Sequence, residues 1–304
     1  MKSYFGGVQM VERKISFYSD GYKLDGSLYL PDDYKDGEKR PCIIANSGYL
    51  GLNAIYPALF SRHLTKLGYV CLGFDYRGFA KSGGKAGYCR LEYEVEDIVN
   101  AVTYARMQDE IDINKIGLIG WGMGAAIVVE VASKDERVSC VAALNGFYNG
   151  TRWMKMVNTY ADWLKMNKLM EEDKIRRVVT GESKYGDPYT FYPLDPETDD
   201  VVKENLNPVE GFGPEIAYVL GESIANFNAE KSVANISPRP IFIAHGKYNV
   251  LHPVEEVYSV FRKAKQPKHL FLLEGKHNDF MFDGHQVFHE LIKKLDIFFK
   301  ESLR

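Results

Sequence analysis

Residues 117–126 read GLIGWGMGAA, and this glycine-rich stretch decides how the rest of the chain is interpreted. Gly120, Gly122 and Ala125 fit the loop G-x-G-x-x-G/A that binds dinucleotide phosphates. Gly120, Gly122 and Gly124 also fit the strand-to-helix turn G-x-S-x-G, with glycine at the serine position. The residues around the stretch must decide between the two interpretations.

The composition is that of an ordinary globular protein. The 304 residues are 45% hydrophobic and 26% charged, and their formal net charge is −3. A chain without a basic excess is not expected to bind nucleic acid or an anionic membrane. The N-terminal stretch MKSYFGGVQMVERK lacks the apolar core of a signal peptide, and no apolar run approaches the ~18 residues of a membrane span. Together with four widely spaced cysteines and no CxxC pair, these features predict a cytoplasmic protein with free thiols.

Short apolar runs alternate with helical patterns along most of the chain. An antiparallel hairpin is predicted over residues 14–30, because Asp20-Gly21 is a favoured turn between two alternating segments. Amphipathic spacing predicts helices over residues 55–67, 92–107 and 286–302. Strands buried on both faces are predicted at residues 42–45, 69–74, 116–120, 138–144, 241–244 and 270–273. This alternation predicts an α/β fold with a mostly parallel, doubly wound sheet.

The alternation stops in residues 149–237. This segment is rich in helix formers and aromatic residues, and it is too long for a simple connection between two strands. We therefore expect an inserted helical lid. The predicted organisation is an N-terminal part of the core domain (1–148), the lid (149–237) and a C-terminal part of the core domain (238–304).

The spacing around the glycines disfavours the dinucleotide loop. Such a loop usually has an acidic residue at the end of the next strand, about twenty positions later. Here the next strand, VSCVAAL, ends in Asn145-Gly146-Phe147. The alternative turn needs a buried strand before it, small residues around it and a helix directly after it, and residues 116–126 supply all three.

Four further segments carry a resemblance to a known family. They are GYVCLGFDYRGFAKSGG (residues 68–84), IIANSGYLG (43–51), IFIAHGKYN (241–249) and LLEGKHNDF (272–280). With these segments the chain resembles the α/β-hydrolase superfamily, and in particular its lidded members of the dienelactone-hydrolase and peptidase type. The resemblance implies the α/β-hydrolase fold and places the nucleophile, the acid and the histidine of the catalytic triad at Gly122, Asn249 and His277.

The triad that this resemblance implies is degenerate, because only the histidine is retained. Gly122 has no hydroxyl, so an acyl-enzyme cannot form there, and an amide at Asn249 can orient an imidazole but cannot stabilise its charge. The resemblance also implies an oxyanion hole from the backbone N–H groups of Met123 and Tyr49, which does not depend on the nucleophile. His277 is then the candidate general base.

Four other residues near the implied site are candidates for substrate contact. We expect Ser47, Trp121, Tyr148 and Trp153 to contact a substrate, although aromatic residues in a lid are equally typical of its core.

Two acidic residues and one thiol are candidates to replace the missing triad groups. Glu255 or Glu256 could replace the acid, but both fit a solvated helix start better. Cys89 is the one thiol outside a predicted core strand, and an ordinary packing role is the simpler interpretation.

Four polar residues are expected to be structural. His245 and His252 flank Asn249 and are predicted to support that loop. Asp75 and Arg77 are predicted to hold their own turn together, by an ion pair or by backbone hydrogen bonds.

Three functions remain open from the sequence. The first is an enzyme that acts on a small carbonyl or acyl compound without covalent catalysis, as a lyase, cyclase, isomerase or water-activating hydrolase. The second is a non-catalytic protein that binds a ligand or a partner. The third is an ordinary serine hydrolase that carries an inactivating serine-to-glycine change at Gly122. None of them calls for a cofactor or a metal, and a homodimer is compatible with each.

Overall fold

The computed structural model describes residues 11–304, and the start of the N-terminal stretch discussed above lies outside them. These residues form ten strands. In chain order they are β1 (Val11–Ser19), β2 (Tyr22–Leu30), β3 (Arg40–Asn46), β4 (Val70–Phe74), β5 (Ile111–Trp121), β6 (Cys140–Leu144), β7 (Tyr185–Gly186), β8 (Ile216–Ala217), β9 (Ile241–Gly246) and β10 (Lys268–Leu273).

Eight of these strands make one sheet in the order β1-β2-β4-β3-β5-β6-β9-β10, and β7 pairs with β8 separately. The predicted hairpin is confirmed, since β1 and β2 are antiparallel and Ser19 pairs with Tyr22. Asp20 and Gly21 both have positive φ angles, 48° and 79°, as a two-residue type I′ turn requires. From β4 to β10 the neighbouring strands are parallel, as the alternation predicts.

The prediction that every parallel strand is buried on both faces is wrong for β10. Five of its six residues are only half-buried or are exposed. The reason is its position, because β10 is an edge strand and has a neighbour on one side only. The apolar run at residues 270–273 does not reveal the edge position, because short apolar segments occur both in edge strands and in central strands.

Nine α-helices fall within residues 11–304. They are α1 (Tyr56–Thr65), α2 (Leu91–Ala105), α3 (Met123–Lys134), α4 (Gly150–Val157), α5 (Tyr160–Thr180), α6 (Pro196–Val201), α7 (Val219–Asn226), α8 (Val254–Lys263) and α9 (Gln286–Ser302). Four of them, α4 to α7, lie in residues 149–237, here called the inserted segment. Their division from the core as a lid stays a prediction. No helix in the described part of the chain has the length and apolarity needed to cross a membrane.

The sheet brings the predicted site residues to one edge. The strands β3, β5, β6, β9 and β10 are parallel, so their carboxyl ends lie on the same side of the sheet. The loops after β5, β9 and β10 carry Gly122, Asn249 and His277. Ligands of open α/β sheets bind at this edge, so the topology supports a site there.

Candidate active site

Gly122 forms a sharp turn between β5 and α3. Its backbone angles are φ 60° and ψ −126°, and it is the residue that caps the N-terminus of α3. A Cβ atom built at Gly122 would lie 3.9 Å from the Nε2 and Cε1 atoms of His277 and 3.9 Å from Cε1 of His252. The turn therefore presents position 122 to the histidine in the way that a nucleophile position does, and it leaves space for a side chain.

The glycines around this turn are needed for close packing of the backbone. A Cβ at Gly124 would lie 2.1 Å from the carbonyl oxygen of Ser47, and one at Gly48 would lie 2.7 Å from that of Trp121. The loop after β3 thus contacts the turn directly. Met123 is the first residue of α3, so its N–H has no acceptor within the helix. Its predicted role in an oxyanion hole, and that of Tyr49 in the neighbouring loop, stay predictions.

His277 is buried and its Nδ1 atom lies 3.0 Å from the Nδ2 atom of Asn249. The direction of this hydrogen bond follows from the other end of the amide. Asn249 Oδ1 accepts the backbone N–H of His252 at 2.9 Å, so the amide nitrogen faces His277. An amide nitrogen only donates, hence Nδ1 of His277 accepts and its proton resides on Nε2.

The tautomer of His277 differs from the one that a general base requires. In a catalytic triad the acid accepts from Nδ1–H and leaves a lone pair on Nε2. Here Nε2 carries the proton and faces position 122. Burial lowers the pKa of His277 well below its usual range, and the neighbouring His252 and His245 lower it further. The imidazole is therefore neutral near pH 7 and acts first as a hydrogen-bond donor.

His252 lies in the site, although sequence reasoning assigned it only a structural role. Its ring contacts that of His277 edge-on, with the centroids 4.8 Å apart. Nδ1 of His252 lies 2.5 Å from the carbonyl oxygen of Asn145, and Nε2 lies 2.7 Å from the hydroxyl of Tyr192. A carbonyl can only accept, so Nδ1 carries the proton and Tyr192 donates to Nε2. Burial lowers the pKa of His252 to about 3.

Asn145 connects three strand ends at the site. Its side chain donates to the carbonyl oxygen of His277 and accepts the N–H of Gly246, and its own carbonyl accepts from His252. The loops after β6, β9 and β10 are thereby held in one arrangement. The sequence shows only an asparagine at the end of a strand, and it contains no signal of these distant partners.

A small cavity lies beside His277 and Trp121. The space open to the centres of water-sized molecules is about 40 Å³, which holds about three waters. Aromatic side chains wall the cavity: Tyr56 stacks on Trp121, and Tyr49 stacks on Tyr192 with the rings parallel within 2°. The predicted contact residue Trp121 thus lines the cavity.

The other three predicted contact residues do not line this cavity. Ser47 is buried and its hydroxyl donates to the carbonyl oxygen of Leu52. Trp153 is fully buried, stacks on Phe147 and donates its indole N–H to the carbonyl of Leu251. Tyr148 is also fully buried. Tyr148 and Trp153 are both part of the buried hydrophobic core.

The expectation that Glu256 is a solvated residue at a helix start is wrong. Its side chain is fully buried and accepts the backbone N–H groups of Tyr148 and Asn149. It also forms an ion pair with Arg152 of α4. Glu256 therefore attaches the inserted segment to α8 rather than supporting His277. Glu255 is exposed, as expected.

Asp75 and Arg77 also have partners other than each other. Asp75 accepts the backbone N–H of Asn53 at 2.7 Å and so holds the loop after β3. Burial raises the pKa of Asp75 to about 6. Arg77 forms a buried ion pair with Asp97 of α2. Both residues are structural, as predicted. Asp75 also accepts a backbone hydrogen bond from Lys81 in its own turn, and both residues contact other elements of the fold.

Cys89 is buried and has no sign of activation. Its thiol lies 2.8 Å from a carboxylate oxygen of Glu94, and burial together with this carboxylate raises the thiol pKa well above its usual range. A reactive thiol needs a lowered pKa, so Cys89 is a packing residue. Burial likewise raises the pKa of Glu94 to about 8.

We expect Glu94→Gln to stabilise the protein at pH 8.5 by about 4 kcal/mol and to have little effect at pH 4. The pKa of Glu94 is raised from 4.5 to about 8, so between these two pH values folded Glu94 binds more protons than unfolded Glu94. The free energy of unfolding therefore falls as the pH rises from 4.5 to about 8, and the neutral amide of glutamine removes this loss. Urea unfolding at both pH values measures the effect, with the exposed Glu255→Gln as control. An equal change at pH 4 and pH 8.5 contradicts the prediction.

Within residues 11–304, no group of three or more His, Cys, Asp or Glu side chains could hold a metal ion. The site consists of a strand-to-helix turn, a buried histidine with an amide partner, and a loop packed on the turn. This arrangement at the carboxyl edge of a mostly parallel sheet is that of an α/β-hydrolase-fold protein.

Comparison with known proteins agrees with this class. The family model of the X-Pro dipeptidyl-peptidase (S15 family) matches residues 20–279. The chain therefore belongs to the X-Pro dipeptidyl-peptidase (S15) family of α/β-hydrolase-fold enzymes.

The individual proteins that this chain resembles share only a modest part of its sequence. An uncharacterized 31.7 kDa protein of Escherichia coli is 32% identical over 130 residues, which are 42% of this chain and 46% of that protein. The chain thus spans about half the length of this relative. The acyltransferase drtE of Aspergillus calidoustus is 20% identical over 88% of this chain and 89% of its own length. The crystal structure of the α/β hydrolase GrgF from Penicillium sp. sh18 has a TM-score of 0.79 at 22% identity, with 96% of this chain and 99% of that chain covered.

Proposed function

We propose that the protein is an enzyme that acts on a small carbonyl or acyl compound without forming an acyl-enzyme. The observation that carries this proposal is the geometry at Gly122. The turn keeps the conformation and the 3.9 Å approach to His277 that a nucleophile position needs, but the side chain is absent. The space that a hydroxyl would occupy is then available to a substrate oxygen or a water.

The chemistry left to such a site is the stabilisation of a negatively charged oxygen by hydrogen-bond donors. A substrate carbonyl oxygen near position 122 would accept the N–H of Met123 and the Nε2–H of His277, which lowers the energy of an enolate or a tetrahedral alkoxide. His277 would keep its Nε2 proton and share it with the developing oxyanion in a hydrogen bond, because a neutral imidazole that lost this proton would become an imidazolate. No covalent bond to the protein forms. A lyase, cyclase, isomerase or water-activating hydrolase is compatible with these steps, and the acyl chemistry of the relative drtE supports the substrate class.

We expect His277→Gln to lower turnover at least 10²-fold for any substrate found in a panel of small esters, thioesters and β-keto acids. Loss of the Nε2–H donor is the physical reason, since the flexible glutamine side chain does not hold a donor at the position of Nε2 and removal of one donor to an oxyanion costs about 10²- to 10³-fold. Product formation is followed by mass spectrometry. The exposed His289→Gln is the matched control and should leave the rate unchanged. Unchanged turnover in His277→Gln, or a substrate adduct on the intact protein, contradicts the proposal.

A non-catalytic ligand-binding protein is the second candidate. The cavity of about 40 Å³ favours it, because an acyl substrate with a long chain or a ring does not fit unless the walls formed by Tyr189 and Tyr192 move. Binding without turnover across the whole panel would support this function.

A further inference from the structure

We propose that the cavity beside His277 and Trp121 binds a small carboxylate or an enolate, so that the oxygen recognised by this site is an anion. This inference rests on the proposed function, because it uses the same cavity, but it specifies the charge of the group that binds there. Two N–H groups of residues that line the cavity carry it, those of His277 and Trp121.

The first donor is His277. The amide of Asn249 is held by the backbone N–H of His252, and its Nδ2 atom faces Nδ1 of His277 at 3.0 Å. The proton of the imidazole is consequently on Nε2, which faces position 122 at 3.9 Å from the ideal Cβ. An aspartate at this position would have produced the opposite tautomer and a lone pair towards the cavity.

The second donor is the indole of Trp121. This side chain is 6% exposed and lines the cavity. Its Nε1 atom is buried and has no hydrogen-bond partner among the described residues. An indole nitrogen can only donate, and a buried donor without a partner costs free energy. A ligand oxygen in the cavity is the partner that removes this cost.

The walls of the cavity agree with an anionic occupant. Within the described part of the chain, none of the residues that line it carries a carboxylate. Its lining is aromatic, aliphatic, histidine, threonine and asparagine, so no negative charge opposes an anion. Oδ1 of Asn278 is a buried acceptor without a partner among residues 11–304 and would bind a donor group of the ligand rather than the anion. Hydrogen bonds to an ionised acceptor are about twice as strong as neutral ones. About 40 Å³ accommodates a carboxylate group with a short chain.

The test compares two probes of the same shape, propionate and propionamide, at pH 7. Titrations monitored by the indole N–H resonances measure both dissociation constants, and Trp121→Phe assigns the Trp121 signal. We expect propionate to bind at least tenfold more tightly than propionamide and to shift the Trp121 signal. Trp121→Phe and His277→Phe should each reduce this preference about fivefold. Trp163→Phe, a matched change outside the cavity, should retain it.

Two outcomes overturn the proposal. Equal affinities, or a preference for propionamide, would mean that the cavity does not select an anion. A preference for propionate that survives both Trp121→Phe and His277→Phe would place the anion elsewhere. The experiment measures binding of probes that need not be turned over, so it tests the anion site independently of catalysis. Propionate binding without any catalysis therefore contradicts only the proposed function, whereas turnover without propionate binding contradicts only the anion site.

Discussion

The double variant Gly122→Ser/Asn249→Asp is expected to hydrolyse p-nitrophenyl acetate about 10³- to 10⁴-fold faster than Gly122→Ser alone. A serine Cβ would lie 3.9 Å from Nε2 of His277, so its hydroxyl can reach this nitrogen. The hydroxyl is activated only if Nε2 has a lone pair, and Asn249 keeps the proton there. An aspartate would accept Nδ1–H and reverse the tautomer. In trypsin the exchange of the triad acid for an amide costs about 10⁴ in kcat.

The single variants provide the controls for this experiment. Asn249→Asp alone has no nucleophile and should stay inactive, and addition of His277→Ala to the double variant should abolish the gained activity. Initial rates and the mass of a trapped acyl-enzyme are measured. If Gly122→Ser alone reaches the rate of the double variant, Asn249 does not control the tautomer. The protein is then an ordinary serine hydrolase that carries a single inactivating change.

Gly124→Ala is expected to lower the free energy of unfolding by about 3 kcal/mol. The added Cβ would lie 2.1 Å from the carbonyl oxygen of Ser47, so either α3 or the loop after β3 must move. Such a movement would also increase the distance between the loop after β3 and Met123. Urea unfolding followed by circular dichroism measures the change.

Gly284→Ala is the matched control for this variant. A Cβ at Gly284 would meet no atom within 4 Å, and the change should stay within about 0.5 kcal/mol. An effect of Gly124→Ala as small as that of Gly284→Ala would show that the turn and the loop are not in close contact.

Much of the site could be predicted from the sequence, because its backbone depends on local patterns. The small residues of GLIGWGMGAA indicate a tight turn between a strand and a helix, and the structure has that turn at Gly122. The parallel order of the strands then brings Asn249 and His277 to it. Alternation of apolar residues and turn chemistry are properties of neighbouring residues, so they are readable without coordinates.

The roles of individual side chains could not be predicted in the same way. Glu256 has the sequence context of a solvated helix start, but its partners Tyr148 and Arg152 lie more than a hundred residues earlier in the chain. His252 likewise contacts Asn145 and Tyr192, which belong to distant segments. Contacts of this kind leave no periodic pattern, because each depends on how two separate elements pack.

The sequence by itself determined the α/β architecture, the hairpin at Asp20-Gly21 and the absence of a hydroxyl at Gly122. Only the tertiary structure decided which way the Asn249 amide points, and with it the proton position on His277. The physical reason is that an amide has a donor end and an acceptor end of nearly equal shape. The backbone N–H of His252, brought to it by the loop after β9, selects between them.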